Sequence, residues 1–367
     1  MTKKTRKRRK GRKWNKSLLI PICLLGISVL LMAASIYMEG FANWYTEHIY
    51  PIVSGAMGRL FGMIPVSVAE IGLYLLVLIL VFGLIYIVLS VFHRAWTRQR
   101  SKKTAKVLLW IVSLLLFLYV VNCGINYRSA SFSEKSGIQT RKYTVEELAE
   151  VCRILTEKVQ KTEPDIARDE DGRMIFETSE KKNAVRAMQH LGETYPDFEG
   201  YYPEPKGLLF PDFLSWQGLT GVYSPFTVEA NYNNAITEYS IPFTMCHELS
   251  HLKGFMQEQE ANFIAWLACD SSDIPEFQYS AALSGWVYAT NMLWDYDPDT
   301  YEQLYAALPD GAKADLQAGN EFWDRYEGKI QEVSNKINDA YLKTNGQKDG
   351  VESYDKMVDM LVAYLIG

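Results

Sequence analysis

Apolar residues follow two regimes along the 367-residue chain. In the first third they form long unbroken runs, at residues 17–38, about 66–92 and 107–125. A helix of roughly 20 apolar residues crosses a hydrocarbon core about 30 Å thick, so each run is predicted to span a membrane. The first run is too long for the apolar part of a signal peptide and no small-residue cleavage site follows it, so it reads as an anchor. Beyond residue 125 the runs break up and periodic patterns replace them. Thr144-Val145-Glu146-Glu147 has the form of a capping box and predicts a helix to about Val159. A second helix is predicted over 179–194. Between 195 and 239 Pro, Gly, Asn and aromatics predominate, and two short stretches, 219–223 and 226–230, read as strands separated by Ser224-Pro225. From Pro242 the pattern is helical almost to Gly367, with breaks near 270–275, 295–300 and 344–350. The expected fold is α+β and mostly helical: three N-terminal membrane helices, a polar, Ser-containing linker at 126–143, and a folded domain at 144–367 with a small sheet.

Charge sharpens this division. Of 38 Lys/Arg and 43 Asp/Glu, the first 125 residues hold 17 and three, leaving 21 and 40 for the remainder. A C-terminal part so acidic repels a phosphate backbone, which argues against nucleic acid as a partner. Ten of the basic residues lie in the tail 1–16 and six in 94–106, whereas only Arg59 falls between the first and second runs. Basic loops stay on the cytoplasmic side, so the tail and the second loop are expected inside and residues 126–367, with the domain at 144–367, outside. The partner implied is the lipid bilayer; the oligomeric state is not specified. Glu70, at the edge of the second run, reads as interfacial. Cys152, Cys246 and Cys269 are odd in number and lack metal-ligand spacing, so no disulfide framework is expected.

The candidate chemistry is concentrated in one place. Two of the five histidines belong to His247-Glu248-Leu249-Ser250-His251. On a helix, positions i and i+4 share a face about 6 Å apart, so both imidazoles can reach one ion, and Zn²⁺ suits neutral imidazole nitrogens. Glu248, about 100° around the helix, can lean over the open coordination position as general base and later general acid for peptide hydrolysis. Pro242 suits the first turn of such a helix and Gly254 its end, with the apolar flank 241–246 between them and the motif. Directly after comes Gln257-Glu258-Gln259-Glu260, opening another helix whose Ala261, Ala265 and Ala268 would permit close packing.

This second segment carries a resemblance. An HExxH followed by a helical Glu-x-x-Ala-Asp/Asn resembles the gluzincin pattern of bacterial metallopeptidases. In Glu258-Gln259-Glu260-Ala261-Asn262 that resemblance implies Glu258 as third zinc ligand and Asn262 as its support, with Glu260 as the competing carboxylate. The metzincin pattern is disfavoured, because Gln257 stands where it requires a third histidine or an aspartate. The stretch 201–269 also resembles the bacterial domain-of-unknown-function family 3810 of membrane proteins. The likeness rests on Leu219-Thr220-Gly221-Val222-Tyr223-Ser224-Pro225-Phe226-Thr227, Asn231-Tyr232-Asn233, the motif through Phe255, and 258–265. It implies three N-terminal spans and an outer HExxH domain, and no substrate.

Zincin-like sites usually place an edge strand beside the motif helix for a peptide to extend, and 219–223 and 226–230 are the candidates. Tyr223, Tyr232, Tyr239 and Tyr288 could each stabilise an oxyanion, and nothing selects among them. The expected function is a membrane-anchored zinc metallopeptidase acting on peptide or protein substrate outside the membrane. The alternative is a non-catalytic membrane sensor or assembly factor with a structural or vestigial zinc domain.

Overall fold

The computed structural model describes residues 16–93, 97–350 and 356–367. Lys16 apart, the basic tail lies outside the described residues. Among the described residues three helices are long and apolar enough to cross a membrane: α1 (Lys16–Tyr37), α4 (Val68–Phe92) and α5 (Arg98–Tyr119). The last continues through a π turn, Val120–Gly124, and a 3-10 turn, Asn126–Arg128. The loop between the first two apolar runs, unassigned from sequence, forms α2 (Phe41–His48) and α3 (Tyr50–Gly62). Tyr45 and Tyr50 are buried there, and the Tyr45 hydroxyl donates to the Val121 carbonyl at 3.0 Å.

Residues 126–143, read from sequence as a linker, are built into the fold instead. Tyr127 and Phe132 are buried, and Phe132 opens the short helix α6 (Phe132–Ser136) behind a Ser131–Glu134 capping box. Polar composition disguised this segment, because its few aromatics supply the burial. The expected helices follow as α7 (Val145–Thr162), with the Thr144–Glu147 capping box formed, and α8 (Glu180–Thr194).

A three-stranded sheet comes next. Its strands are β1 (Lys206–Gly207), then, after the one-turn helix α9 (Asp212–Ser215), β2 (Gly221–Ser224) and β3 (Glu229–Tyr232). The order is β1-β3-β2, with β1 parallel and β2 antiparallel to β3, so β2 is an edge strand. Both long strands begin later than their sequence patterns suggested. The connection needs the residues up to Val228, which adopts φ 53° and closes the turn by donating to the Ser224 carbonyl at 2.8 Å.

The rest is helical: α10 (Ile241–Leu252), α11 (Glu258–Asp270), α12 (Pro275–Trp294), α13 (Pro298–Ala307), α14 (Asp310–Asp324), α15 (Lys329–Thr344) and α16 (Met357–Leu365). The main core lies where α7, α10, α11 and α12 pack together, around fully buried Trp266, Phe263, Phe277 and Leu155. Breaks at 270–275, 295–300 and 344–350 coincide with the helix ends expected.

Two buried carboxylates bolt this domain to the second apolar helix. Glu229 on β3 accepts from the Val68 and Ala69 amides at the start of α4, at 3.2 and 2.8 Å, and pairs with buried Lys206. Glu70 reciprocates, accepting from the Leu209 and Phe210 amides at 2.8 and 2.9 Å and from the Tyr74 hydroxyl at 2.8 Å. Helix N-termini leave amides unsatisfied, so a carboxylate there supplies both hydrogen bonds and favourable charge.

Candidate metal centre

Residues 247–251 lie on α10, where Pro242 occupies the first turn and every residue except His247 is buried. Gly254 turns the chain at φ 101°, a left-handed conformation open to glycine, and α11 starts four residues later. Fully buried Ala261, Ala265 and Ala268 sit on α11, which packs directly on α10. Close packing returns the first residue of α11 to the histidines. Glu258 Oε2 lies 3.3 Å from His247 Nε2 and 3.6 Å from His251 Nε2. One ligand atom from each of the three residues falls within 4.8 Å of the others, and the imidazole rings meet edge to face at 4.6 Å. His251 Nδ1 is 2.7 Å from the Phe255 carbonyl, so Nδ1–H donates there and Nε2 faces the cluster.

Glu260 points elsewhere. Its carboxylate accepts from the Ser133 amide at 3.0 Å and the Ser133 hydroxyl at 2.8 Å, closing off the start of α6. Asn262 is buried and lines the same cleft as Glu258.

Glu248 is buried, and its Oε2 has no hydrogen-bond partner among the described residues. Burial raises its pKa to about 7, against a partial opposing pull from the two imidazoles. Burial also disfavours charge on His251, but Glu258 outweighs it and raises the imidazole to about 9. For Glu258 burial is likewise overcome, and the neighbouring imidazoles hold its carboxyl well below the usual range.

The cluster forms the floor of a cleft of about 660 Å³. One wall is residues 218–223, ending in edge strand β2. Asn233 N–H donates to the Thr220 carbonyl at 2.7 Å, so by the two-residue period Thr220 and Val222 face β3 while Gly221 and Tyr223 turn their backbone groups outward. Gly221 passes so close to Glu248 that a Cβ there would lie 2.5 Å from Oε1. Of the two strand candidates, 219–223 thus supplies the edge of the sheet, with the Tyr223 amide turned to Glu248, and 226–230 contributes to the sheet interior.

The four tyrosines separate. Tyr232 donates to Glu180 at 3.1 Å and lies outside the cleft lining, whereas Tyr223, Tyr239 and Tyr288 line the cleft, the Tyr223 hydroxyl being held by Tyr50 and the Asn122 carbonyl. Sequence reading missed Cys123 and Tyr127, at the end of the third apolar helix, and Tyr341 on α15, all of which line it too. Only the adjacency of Cys123 and Tyr127 to a span was visible in sequence. His48, His93 and His190 stand apart from the cluster, and Cys246 is fully buried behind it.

Fold and site together define a mostly helical protein with three helices long and apolar enough to cross a membrane and a His-His-Glu cluster beside a buried carboxylate. The chain belongs to the family described as "Protein of unknown function (DUF3810)", whose family model matches residues 45–362, from within α2 to within α16. No curated protein and no solved structure matches it.

Proposed function

We propose that the protein is a membrane-anchored zinc-dependent metallopeptidase that hydrolyses peptide bonds outside the membrane. The observation that carries this reading is the convergence of His247, His251 and Glu258 with buried Glu248, whose Oε2 has no partner among the described residues, beside the edge strand β2. The donor set fits zinc: two imidazoles and a carboxylate, with His251 held in one tautomer by Phe255. Zinc bound there would supply Lewis acidity and make water a nucleophile near neutral pH. Glu248 would take the proton from the attacking water and pass it to the leaving amine. The outward backbone groups of Gly221 and the Tyr223 carbonyl would hold substrate as an added antiparallel strand, and Tyr239 or Tyr288, which line the cleft, would stabilise the developing oxyanion.

The test is Glu248→Gln in the full chain. Loss of peptide cleavage by about 10²–10⁴-fold with zinc retained supports the reading; undiminished cleavage overturns it. A second reading, a sensor or assembly factor with a structural zinc domain, draws on the interlock between the site and the membrane helices through Tyr50, Tyr223 and Asn122. Under it, Glu248→Gln leaves the cellular phenotype intact.

A further inference from the structure

We propose that the cleft opens onto the membrane surface and that its substrate is a peptide segment held at the bilayer–water boundary, the juxtamembrane stretch of a membrane-anchored protein. This rests on the peptidase reading and adds the substrate class. Two independent alignments set the depth of the cleft.

The first comes from α1 and α5, which rise side by side. Trp110 Nε1 donates to the Ser17 carbonyl at 3.0 Å near one end, and Gly124 lies against Met32 Sδ near the other. Cys123 and Tyr127, which line the cleft, flank that level. Met32 stands five residues before the end of α1 at Tyr37, or about 7–8 Å short of it along the helix. The wall of the cleft therefore starts within the apolar length of the first helix.

The second comes from α4. The segment leading into α9 is pinned by Glu70, and the Phe210 ring packs edge-on against Tyr74 at 5.9 Å. Tyr74 is about 9 Å along the helix from Val68, so Phe210 also lies beside the apolar length of its helix. Leu209, Phe210, Phe213 and Trp216 are 53, 63, 44 and 49% exposed, continuous with the lipid-facing surface of α4. The chain then runs directly into residues 218–223, the cleft wall. Across the mouth, α15 lines the cleft with Asn335, Asn338 and Tyr341, and leaves Ile330, Val333 and Ile337 exposed on the adjoining stripe. Aromatic and aliphatic side chains on both rims suit the interfacial zone.

Charge decides between the bilayer as anchor and the lipid itself as substrate. No Lys or Arg lines the cleft among the described residues, and its carboxylates are Glu248 and Glu258. A phosphate headgroup would find no Lys or Arg to pair with beyond the metal site itself, whereas a peptide backbone matches the edge of β2.

The test uses the full chain with Cys23→Ser, reconstituted in vesicles of phosphatidylethanolamine and phosphatidylglycerol. An environment-sensitive fluorophore is attached at Phe213→Cys, Ile337→Cys or, on α13, Gln303→Cys. Quenching by headgroup-level nitroxide lipid is expected at 213 and 337 and not at 303. In parallel, without the label, two identical pools of randomised dye–quencher decapeptides are supplied, one carrying a palmitoyl chain. The anchored pool should be cleaved on the order of 10²-fold more efficiently, the gain expected from raised effective concentration. Labels at 213 and 337 that behave like 303, or equal cleavage of both pools, overturn the inference and leave the peptidase reading standing. Cleavage of neither pool overturns the peptidase reading itself, and the substrate class with it.

Discussion

Glu248 carries an electrostatic cost that can be read without substrate. Its folded-state pKa is raised from 4.5 to about 7 by burial. The folded state therefore binds the extra proton between those values, and stability falls as pH rises through that window. In chelated protein, Glu248→Gln should raise the unfolding free energy at pH 8 by on the order of 2–3 kcal/mol and change it little at pH 4. Denaturant titrations at the two pH values check this; equal effects at both would show that Glu248 is not strained by its burial. Gly221 is the complementary case. Its missing Cβ leaves room for Glu248 Oε1, so Gly221→Ala should cost about 1–3 kcal/mol and displace the carboxylate. A melt of that variant at wild-type temperature, with unchanged activity, would contradict the close approach. At this scale His247, Glu248 and His251 were legible because a helix fixes their spacing. That Glu258 and not Glu260 approaches the histidines was not, since it depends on where Ser133, more than a hundred residues away, meets the Glu260 carboxylate.

Elements were legible where a local rule governs them. Capping residues, apolar runs and the Gly254 turn announced α7, the spanning-length helices and the end of α10. The α2–α3 pair and the packed segment after Arg128 were not, because their burial comes from contacts with α5 and the C-terminal domain rather than from periodicity. The Lys206–Glu229 pair is likewise a tertiary construction, joining a two-residue strand to the start of α4. Removing one partner leaves the other charge buried alone, so Glu229→Gln should destabilise the chain by about 3–5 kcal/mol. Hydrogen exchange should then show residues 206–232 and the first turn of α4 opening together. Exchange confined to either side would mean the two are not one unit.

At the scale of the whole molecule, the long apolar helices and the C-terminal domain share one structure. The third apolar helix ends as a wall of the cleft, and Tyr50, before the second span, fastens the Leu252 carbonyl at 2.9 Å and the Tyr223 hydroxyl at 3.1 Å. Composition divided the chain near residue 125 and so concealed this continuity, while the basic loops pointed to an orientation. That orientation is tested by single cysteines at exposed Lys102 and Gln303 in a Cys23→Ser background. An impermeant maleimide added to intact cells should reach position 303 and not 102; the reverse pattern would invert the topology.

The central claim is that three side chains on two adjoining helices hold one metal ion. Its most direct measurement is the metal content of the purified full chain by elemental mass spectrometry, in wild type and in His247→Ala, Glu258→Ala and Glu260→Ala. The expected result is about one zinc per chain in wild type and Glu260→Ala, lost in His247→Ala and Glu258→Ala. A folded wild-type protein without zinc, or zinc that survives loss of both His247 and Glu258, would contradict the account.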